Sequence, residues 1–201
     1  MKVSAILLAA GQGKRYNGPK QDVIFHGKPI WKFTYDTLSK VIDKNNIIVV
    51  GKDIEGGATR TKSVKIGLSV LDKDTEKVVI VEAARPMVTK NQIYILANDI
   101  DKSTAFVRPL VNTVVYRKGE YIERNELYEL LTPQSFDYKL LCEAYSNGRF
   151  EDTTDETVVM YKFHNIKAHF IETSNNLYKI TYPGDLDILE SIYKSNPEEY
   201  E

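Results

Sequence analysis

Basic side chains and small residues follow directly after the first apolar segment of the chain. The apolar run Val3 to Leu8 is typical of a buried strand, and it continues into Ala-Ala-Gly-Gln-Gly-Lys-Arg (9–15) and Pro-Lys-Gln (19–21). Glycines allow the backbone to approach a ligand closely with its N–H groups turned inward. Because Arg15 and Lys20 add fixed positive charge beside those donors, the segment predicts a site for a nucleoside triphosphate.

This loop matches neither of two better-known phosphate-binding fingerprints. A dinucleotide-binding turn needs a third glycine where Tyr16 stands, and a P-loop needs Ser or Thr where Arg15 follows Lys14. The loop residues alone therefore leave two interpretations open: a phosphate cradle, or an ordinary turn with a solvated Lys/Arg pair.

The bulk properties narrow the class of protein. The chain has 201 residues, of which 42% are hydrophobic and 27% charged, as in one ordinary globular domain spanning 1–201. A formal net charge of -1 provides no field that would attract nucleic acid or an anionic membrane surface. A lone cysteine, Cys142, excludes an intrachain disulfide framework. With no apolar run long enough to span a membrane and no leader sequence, a cytoplasmic protein is predicted.

Strand and helix patterns alternate along the chain. Strands are predicted at 3–8, 46–51, 77–81, 104–107 and 168–172, and helices at 29–41, 63–71, 89–100, 137–145, 155–161 and 183–194. The alternation predicts an α/β fold with a doubly wound, mostly parallel sheet that has helices on both faces. The region 111–131 is predicted to form a protruding β-arm, and 195–201 is expected to fray.

Three further segments have residues suited to ligand binding, each with a plainer alternative. Gly-Gly-Ala-Thr-Arg-Thr-Lys-Ser (56–63) enters a helix, so it suits a nucleotide base and ribose, or is a helix-entry loop with solvent-facing Arg and Lys. Glu82 could help hold Mg²⁺ and Arg85 a second anionic substrate, or the two form a surface ion pair. For Lys179, the plainer alternative is an exposed lysine without a functional role. The three histidines lack metal-ligand spacing.

Taken together and in this order, the segments resemble a cytidylyltransferase family. It contains methylerythritol 4-phosphate cytidylyltransferase and the ribitol- and glycerol-phosphate enzymes of cell-wall or capsule synthesis. Besides the first loop, the matching segments are Gly-Gly-Ala-Thr-Arg-Thr-Lys-Ser-Val, Ala-Ala-Arg-Pro, Leu-Thr-Pro-Gln-Ser-Phe, Thr-Asp-Glu and Tyr-Lys-Ile-Thr-Tyr-Pro-Gly-Asp-Leu. The resemblance covers most of the chain and implies one Rossmann-like nucleotidyltransferase domain.

The resemblance implies that CTP and a polyol phosphate, with methylerythritol 4-phosphate favoured, are condensed to a CDP-polyol with Mg²⁺ present. Implied catalytic residues are Arg15, Lys20 and Lys179, and the implied metal ligand is Glu82. Implied nucleotide-binding residues are Ala10, Gly11, Gln12, Gly13, Gly57 and Ser63. Implied polyol-phosphate contacts are Arg85, Thr113 and Arg124, of which the last two lie on an arm that crosses to the partner of a homodimer.

The chain also departs from the family pattern. Glu82 stands where the family usually has Asp, Ala58 replaces an acid found in some members, and only three residues separate Arg15 from Pro19. The segments between Val50 and Gly56 and along the arm are short. Three alternatives therefore stay open: a ribitol- or glycerol-phosphate enzyme, a nucleotide-binding pseudoenzyme, and a transferase for another acceptor such as a molybdopterin.

Overall fold

The fold is seen in a computed structural model that describes residues 1–173 and 177–200. In the described residues the strands are β1 Val3–Leu8, β2 Ile24–Phe25, β3 Lys28–Pro29, β4 Ile47–Val50, β5 Lys77–Glu82, β6 Ser103–Pro109, β7 Val114–Val115, β8 Tyr121–Ile122, β9 Tyr128–Asp137 and β10 His169–Glu172. The helices are α1 Ile30–Ser39, α2 Arg60–Val70, α3 Lys90–Asn98, α4 Tyr138–Ser146, α5 Glu156–His164, α6 Asp185–Ser195 and α7 Pro197–Tyr200.

A six-stranded sheet in the order β10-β6-β9-β5-β1-β4 forms the centre of the fold. Strand β1 is parallel to β4 and β5, β10 is parallel to β6, and β9 runs antiparallel between β5 and β6. The register pairs Leu8 with both Val50 and Glu82. The carboxyl ends of β1, β4 and β5 therefore meet at one edge of the sheet. The mostly parallel α/β sheet predicted from the sequence is confirmed.

Alternate residues of the central strands point to opposite faces of the sheet, as the period of two requires. From β1, Leu7 packs towards α1 and α3 while Ile6 packs towards α2, α4 and α5. From β5, Val81 and Ile80 divide in the same way. Both faces are covered by apolar helix surfaces, which is why these strands are continuously hydrophobic.

A third apolar cluster joins the β2–β3 hairpin and α1 to the C-terminal helices. Phe25, Phe33 and Leu189 are buried in it, and the ring of Tyr200 lies 6.2 Å from the ring of Tyr193. The expectation that 195–201 frays is therefore wrong for 197–200, because the buried Tyr200 anchors α7. Within the described residues, the helices are all too short or too polar to cross a membrane.

Two local predictions also differ from the structure. The end of the expected arm at 128–131 belongs to β9, which pairs with β6, so the protruding hairpin is confined to β7 and β8 and their flanks. Helix α2 begins at Arg60, earlier than expected, because the Thr59 hydroxyl accepts a hydrogen bond from the Lys62 amide.

Candidate active site

A cleft of about 390 Å³ opens at the carboxyl ends of β1 and β5. It is lined by Ala10, Gly11, Gln12, Gly13, Arg15, Lys20, Gly57, Ser63, Glu82 and Lys179, among others. These are all the residues that the sequence interpretation assigned to the nucleotide, to the metal and to catalysis. The parallel register explains the grouping, because it brings the segments after β1 and β5 to the same edge of the sheet.

The loop after β1 is folded onto itself. The carbonyl of Gly13 accepts hydrogen bonds from the amides of Tyr16 (2.8 Å) and Gly18 (3.2 Å), which closes the short segment before Lys20. Gly13 has a φ of +61°, and an added Cβ would collide with the Gly18 carbonyl. Gln21 donates from its buried side chain to the Gly11 carbonyl at 3.0 Å. The sequence interpretation gave Gln21 no role, yet this hydrogen bond holds Gly11 of the loop in place.

The turn before α2 lies directly against this loop. A Cβ on Gly56 would lie 2.1 Å from the Ala10 Cβ, and one on Gly57 would lie 2.4 Å from the Lys62 Cβ. Glycine is therefore required at both positions. The Ser63 hydroxyl accepts from the Gly57 amide at 3.1 Å and donates to the Thr59 carbonyl at 3.2 Å, so it shapes the turn.

Cations surround a single carboxylate in the cleft. Lys179 Nζ lies 2.5 Å from Glu82 Oε2, and Lys20 Nζ donates to the Ile180 carbonyl at 2.5 Å. Burial lowers the pKa of Lys20, and the neighbouring Lys179 ammonium lowers it further. Burial opposes ionisation of Glu82, but Lys179 and Arg60 outweigh it and lower the pKa of Glu82 to about 2. Glu82 is therefore ionised at neutral pH.

Two functional candidates were missed from the sequence. Arg60, in a turn for which the sequence left a nucleotide site and a solvent-facing helix-entry loop both open, turns inward and donates from Nε to Glu82 at 2.9 Å. Its Nη1 and Nη2 atoms each donate at 2.8 Å to one oxygen of Glu156, which is fully buried. The two partners lie 96 positions apart. No spacing rule connects them, and only the acidic start of α5 marks Glu156 in the sequence.

The residues assigned to the polyol phosphate do not line this cleft within one chain. The guanidinium of Arg85 is buried, donating to the Thr132 hydroxyl at 3.1 Å and to the Leu177 carbonyl. Arg124 contacts the Val111 carbonyl. Arg124 and Thr113 are both on the exposed arm. Two nitrogens of the Arg85 guanidinium thus donate to neutral protein oxygens, and its assignment to the acceptor phosphate stays a prediction.

A divalent cation fits the cleft only together with a phosphate ligand. Mg²⁺ is commonly bound by one or two carboxylates plus substrate phosphates, and among the described residues that line the cleft Glu82 is the one acid. Its two oxygens face Arg60 and Lys179.

Elsewhere, Asp99, Asp101 and His169 place ligand atoms within 4.8 Å of one another at the opposite end of the sheet. His169 Nδ1 lies 3.3 Å from an Asp99 oxygen and 2.9 Å from an Asp101 oxygen, and we assign these residues no metal.

The fold and the cation-lined cleft define a nucleotidyltransferase. The family model of 2-C-methyl-D-erythritol 4-phosphate cytidylyltransferase (IspD) matches residues 3–195. Enzymes of that name from Lachnoclostridium phytofermentans and Alkaliphilus oremlandii are 28% and 32% identical to the chain. The alignments cover 97% and 98% of this chain, respectively, and 97% of each relative. The bifunctional IspDF of Campylobacter jejuni superposes with a TM-score of 0.81 at 28% identity, over 94% of this chain and 55% of that one. The chain belongs to the IspD cytidylyltransferase family.

Proposed function

We propose that this enzyme condenses CTP with 2-C-methyl-D-erythritol 4-phosphate, forming a CDP-polyol and releasing pyrophosphate. The observation that carries the proposal is the grouping of Arg15, Lys20 and Lys179 around the glycine loop at one edge of the sheet. Such a set of cations is complementary to a triphosphate and to the charge that develops when pyrophosphate leaves. The relatives named above provide the choice of acceptor.

In the proposed reaction, an oxygen of the acceptor phosphate attacks the α-phosphorus of CTP. A new P–O bond forms there, while the bond to the β-phosphate oxygen breaks and pyrophosphate leaves with the electron pair. Lys20 and Lys179 neutralise charge across this displacement, and the loop amides around Gly11 and Gly13 hold the phosphates in line. Glu82 would hold Mg²⁺, which supplies further charge neutralisation when bound. No covalent protein intermediate is required.

The test is an acceptor screen that measures pyrophosphate release. The enzyme is incubated with CTP and Mg²⁺ and, separately, with 2-C-methyl-D-erythritol 4-phosphate, ribitol 5-phosphate or a glycerol phosphate. We expect one dominant CDP product, from the first acceptor. Faster turnover of another acceptor would reassign the substrate, and absence of pyrophosphate with all of them would contradict the enzymatic proposal.

We also propose that two copies associate through the arm to complete the acceptor side of each site. The arm supports this because Val111 and Tyr121 are about four-fifths exposed, at 81% and 80%, on a two-stranded hairpin. Isolated hairpins of this size are marginal in water and gain stability by packing on another surface. Thr113 and Arg124 lie on this arm, away from the cleft of their own chain. Light scattering that gives a monomer with full activity would contradict the arrangement.

For the location of the enzyme we infer the cytoplasm. Cys142 is a free, half-buried thiol, which suits a reducing compartment. Activity and a native oligomeric state that survive in strong reductant are expected, and fractionation of cells that express the protein from its own gene tests the location directly.

A further inference from the structure

Arg60 connects two carboxylates that belong to different layers of the fold. It is the first residue of α2, and its guanidinium spans the gap between Glu82 at the end of β5 and Glu156 at the start of α5. Its Nε faces Glu82, and both terminal nitrogens face Glu156 in a bidentate pair. The planar fork of an arginine makes this bridge possible, and a lysine ammonium cannot reproduce it.

The outer end of the bridge is anchored within the core. Glu156 is fully buried, and it accepts a further hydrogen bond of 2.9 Å from the Tyr145 hydroxyl. Its position in the first turn of α5 is electrostatically favourable, because the helix N-terminus attracts negative charge. The far end of the guanidinium is thus held by a carboxylate that cannot move into solvent.

The inner end of the bridge determines where the Glu82 carboxylate points. Arg60 holds Oε1 at 2.9 Å, which leaves Oε2 directed at Lys179 at 2.5 Å. Lys179 lies outside the regular helices and strands, so a regular element does not fix its side chain. The contact with Glu82 therefore orients its ammonium in the cleft. A glutamate side chain has one more rotatable bond than an aspartate side chain, which increases the need for an external constraint.

We propose that Arg60 and Glu156 are positioning residues for nucleotidyl transfer: they fix Glu82, and through Glu82 they hold Lys179 at the reaction centre. The proposal rests on the function proposed above. Neither residue is required to touch substrate, since every nitrogen of the Arg60 guanidinium donates to a protein carboxylate. We call the chain of contacts from Glu156 through Arg60 and Glu82 to Lys179 the relay. It would link the buried α4–α5 layer to a catalytic lysine on the other side of the cleft.

The experiment compares Arg60→Lys and Glu156→Gln with the matched control Lys62→Arg, an exposed residue in the same turn of α2. Arg60→Lys keeps the charge but loses the fork, so we expect kcat to fall about 10- to 100-fold with little change in KM for CTP. Glu156→Gln keeps the size and one acceptor, so its loss of kcat should be smaller. Lys62→Arg should match wild type. The thermal unfolding curve of each variant gives its melting temperature and its folded fraction at the assay temperature, and kcat is divided by that fraction.

A purely structural role predicts a different result. Arg60→Lys would then lower the melting temperature and the folded fraction, while kcat per folded enzyme stayed at the wild-type value, and this outcome would overturn the relay. If Glu156→Gln and Lys62→Arg have the same kcat, Glu156 is not part of the relay.

Crystal structures of wild type and Arg60→Lys provide a readout that is independent of turnover. We expect the Glu82 carboxylate to rotate and its contact with Lys179 to be lost in the variant. An unchanged Glu82–Lys179 pair would overturn the relay. If wild type releases no pyrophosphate with any acceptor, the proposed function fails, and these two structures still decide the relay.

Discussion

The cleft and the arm hold their functional residues in opposite ways. In the cleft, Lys20, Glu82 and Lys179 are joined by short contacts to each other and to the backbone, and the loops around them are pressed together. On the arm, Thr113 and Arg124 lie on an exposed hairpin whose two strands have two residues each. The difference supports the proposal that one chain builds the triphosphate half of the site alone and that a second copy completes the acceptor half.

The largest expected effect tests the cleft side of this comparison. Lys20→Ala removes a half-buried cation from the cleft, so kcat/KM should fall about 10³-fold. Lys73→Ala, at an exposed position after α2, is the matched control and should leave turnover unchanged. Steady-state measurement of pyrophosphate release checks both. A larger loss from Arg124→Ala than from Lys20→Ala would reverse the comparison.

The next effect compares a glycine that packs against the loop after β1 with a glycine on the arm. Gly51 has a φ of +102°, and a Cβ there would lie 2.6 Å from the Ala10 backbone nitrogen, so Gly51→Ala should cost about 3 kcal/mol of unfolding free energy. Gly119, on the arm, has a φ of +96° but open space around it, so Gly119→Ala should cost about 1 kcal/mol. Urea unfolding measures both. Equal costs would show that the cleft loops can separate.

A smaller effect concerns the charge network and its pH dependence. The pKa of Glu82 is lowered from 4.5 to about 2, so its stabilising contribution is full above pH 4.5 and is lost as the pH falls to about 2. Lys179→Ala should raise this pKa and cost about 2 kcal/mol at neutral pH. The difference in unfolding free energy between wild type and variant should narrow below pH 4.5. A difference that stayed constant down to pH 2 would mean that Lys179 does not stabilise the ionised form.

The smallest effect concerns the arm. Arg124→Ala should raise the KM for the acceptor about tenfold, or about 1.4 kcal/mol, with KM for CTP unchanged. If Arg124 acts in the partner's site, mixing Lys20→Ala with Arg124→Ala subunits and assaying well below the KM for the acceptor should give about a quarter of wild-type activity, because half of the dimers then contain one intact site. Activity that does not rise above the mean of the two unmixed variants after subunit exchange would place Lys20 and Arg124 of one and the same chain in one site.

The sequence was sufficient for five of the six strands of the central sheet and for most residues of the cleft. Strand β1 was predicted correctly and the loop after it lines the cleft, because apolar runs and glycine turns are local signals. Lys179 also lines the cleft, but only the family resemblance pointed to it. Strand β9 was not predicted. Pro133 argues against a central strand, and it fits here because the register shifts between Ala105 and Phe106, leaving Thr132 and Pro133 outside the regular pairing.

Contacts between distant parts of the chain were beyond the sequence. The pairing of Arg60 with Glu156 joins two helix starts, and nothing local distinguishes either side chain from a solvated charge. The burial of Tyr200 could not be predicted, because a lone aromatic residue in a polar tail is not part of a repeating apolar pattern. In both cases the sheet and its helices had to be assembled before the partner could be identified.

The position of β9 also has a consequence for how the protein is made. Strand β5 pairs with β1 on one side. Its other edge pairs with Gln134 to Asp137, which follow β5 by more than fifty residues and are therefore made later. During synthesis the hydrophobic run Val78 to Val81 therefore emerges with one edge unpaired, the kind of edge that recruits other chains. We expect slow refolding with a concentration-dependent loss of yield, and nascent chains that end before β9 to engage chaperones most strongly.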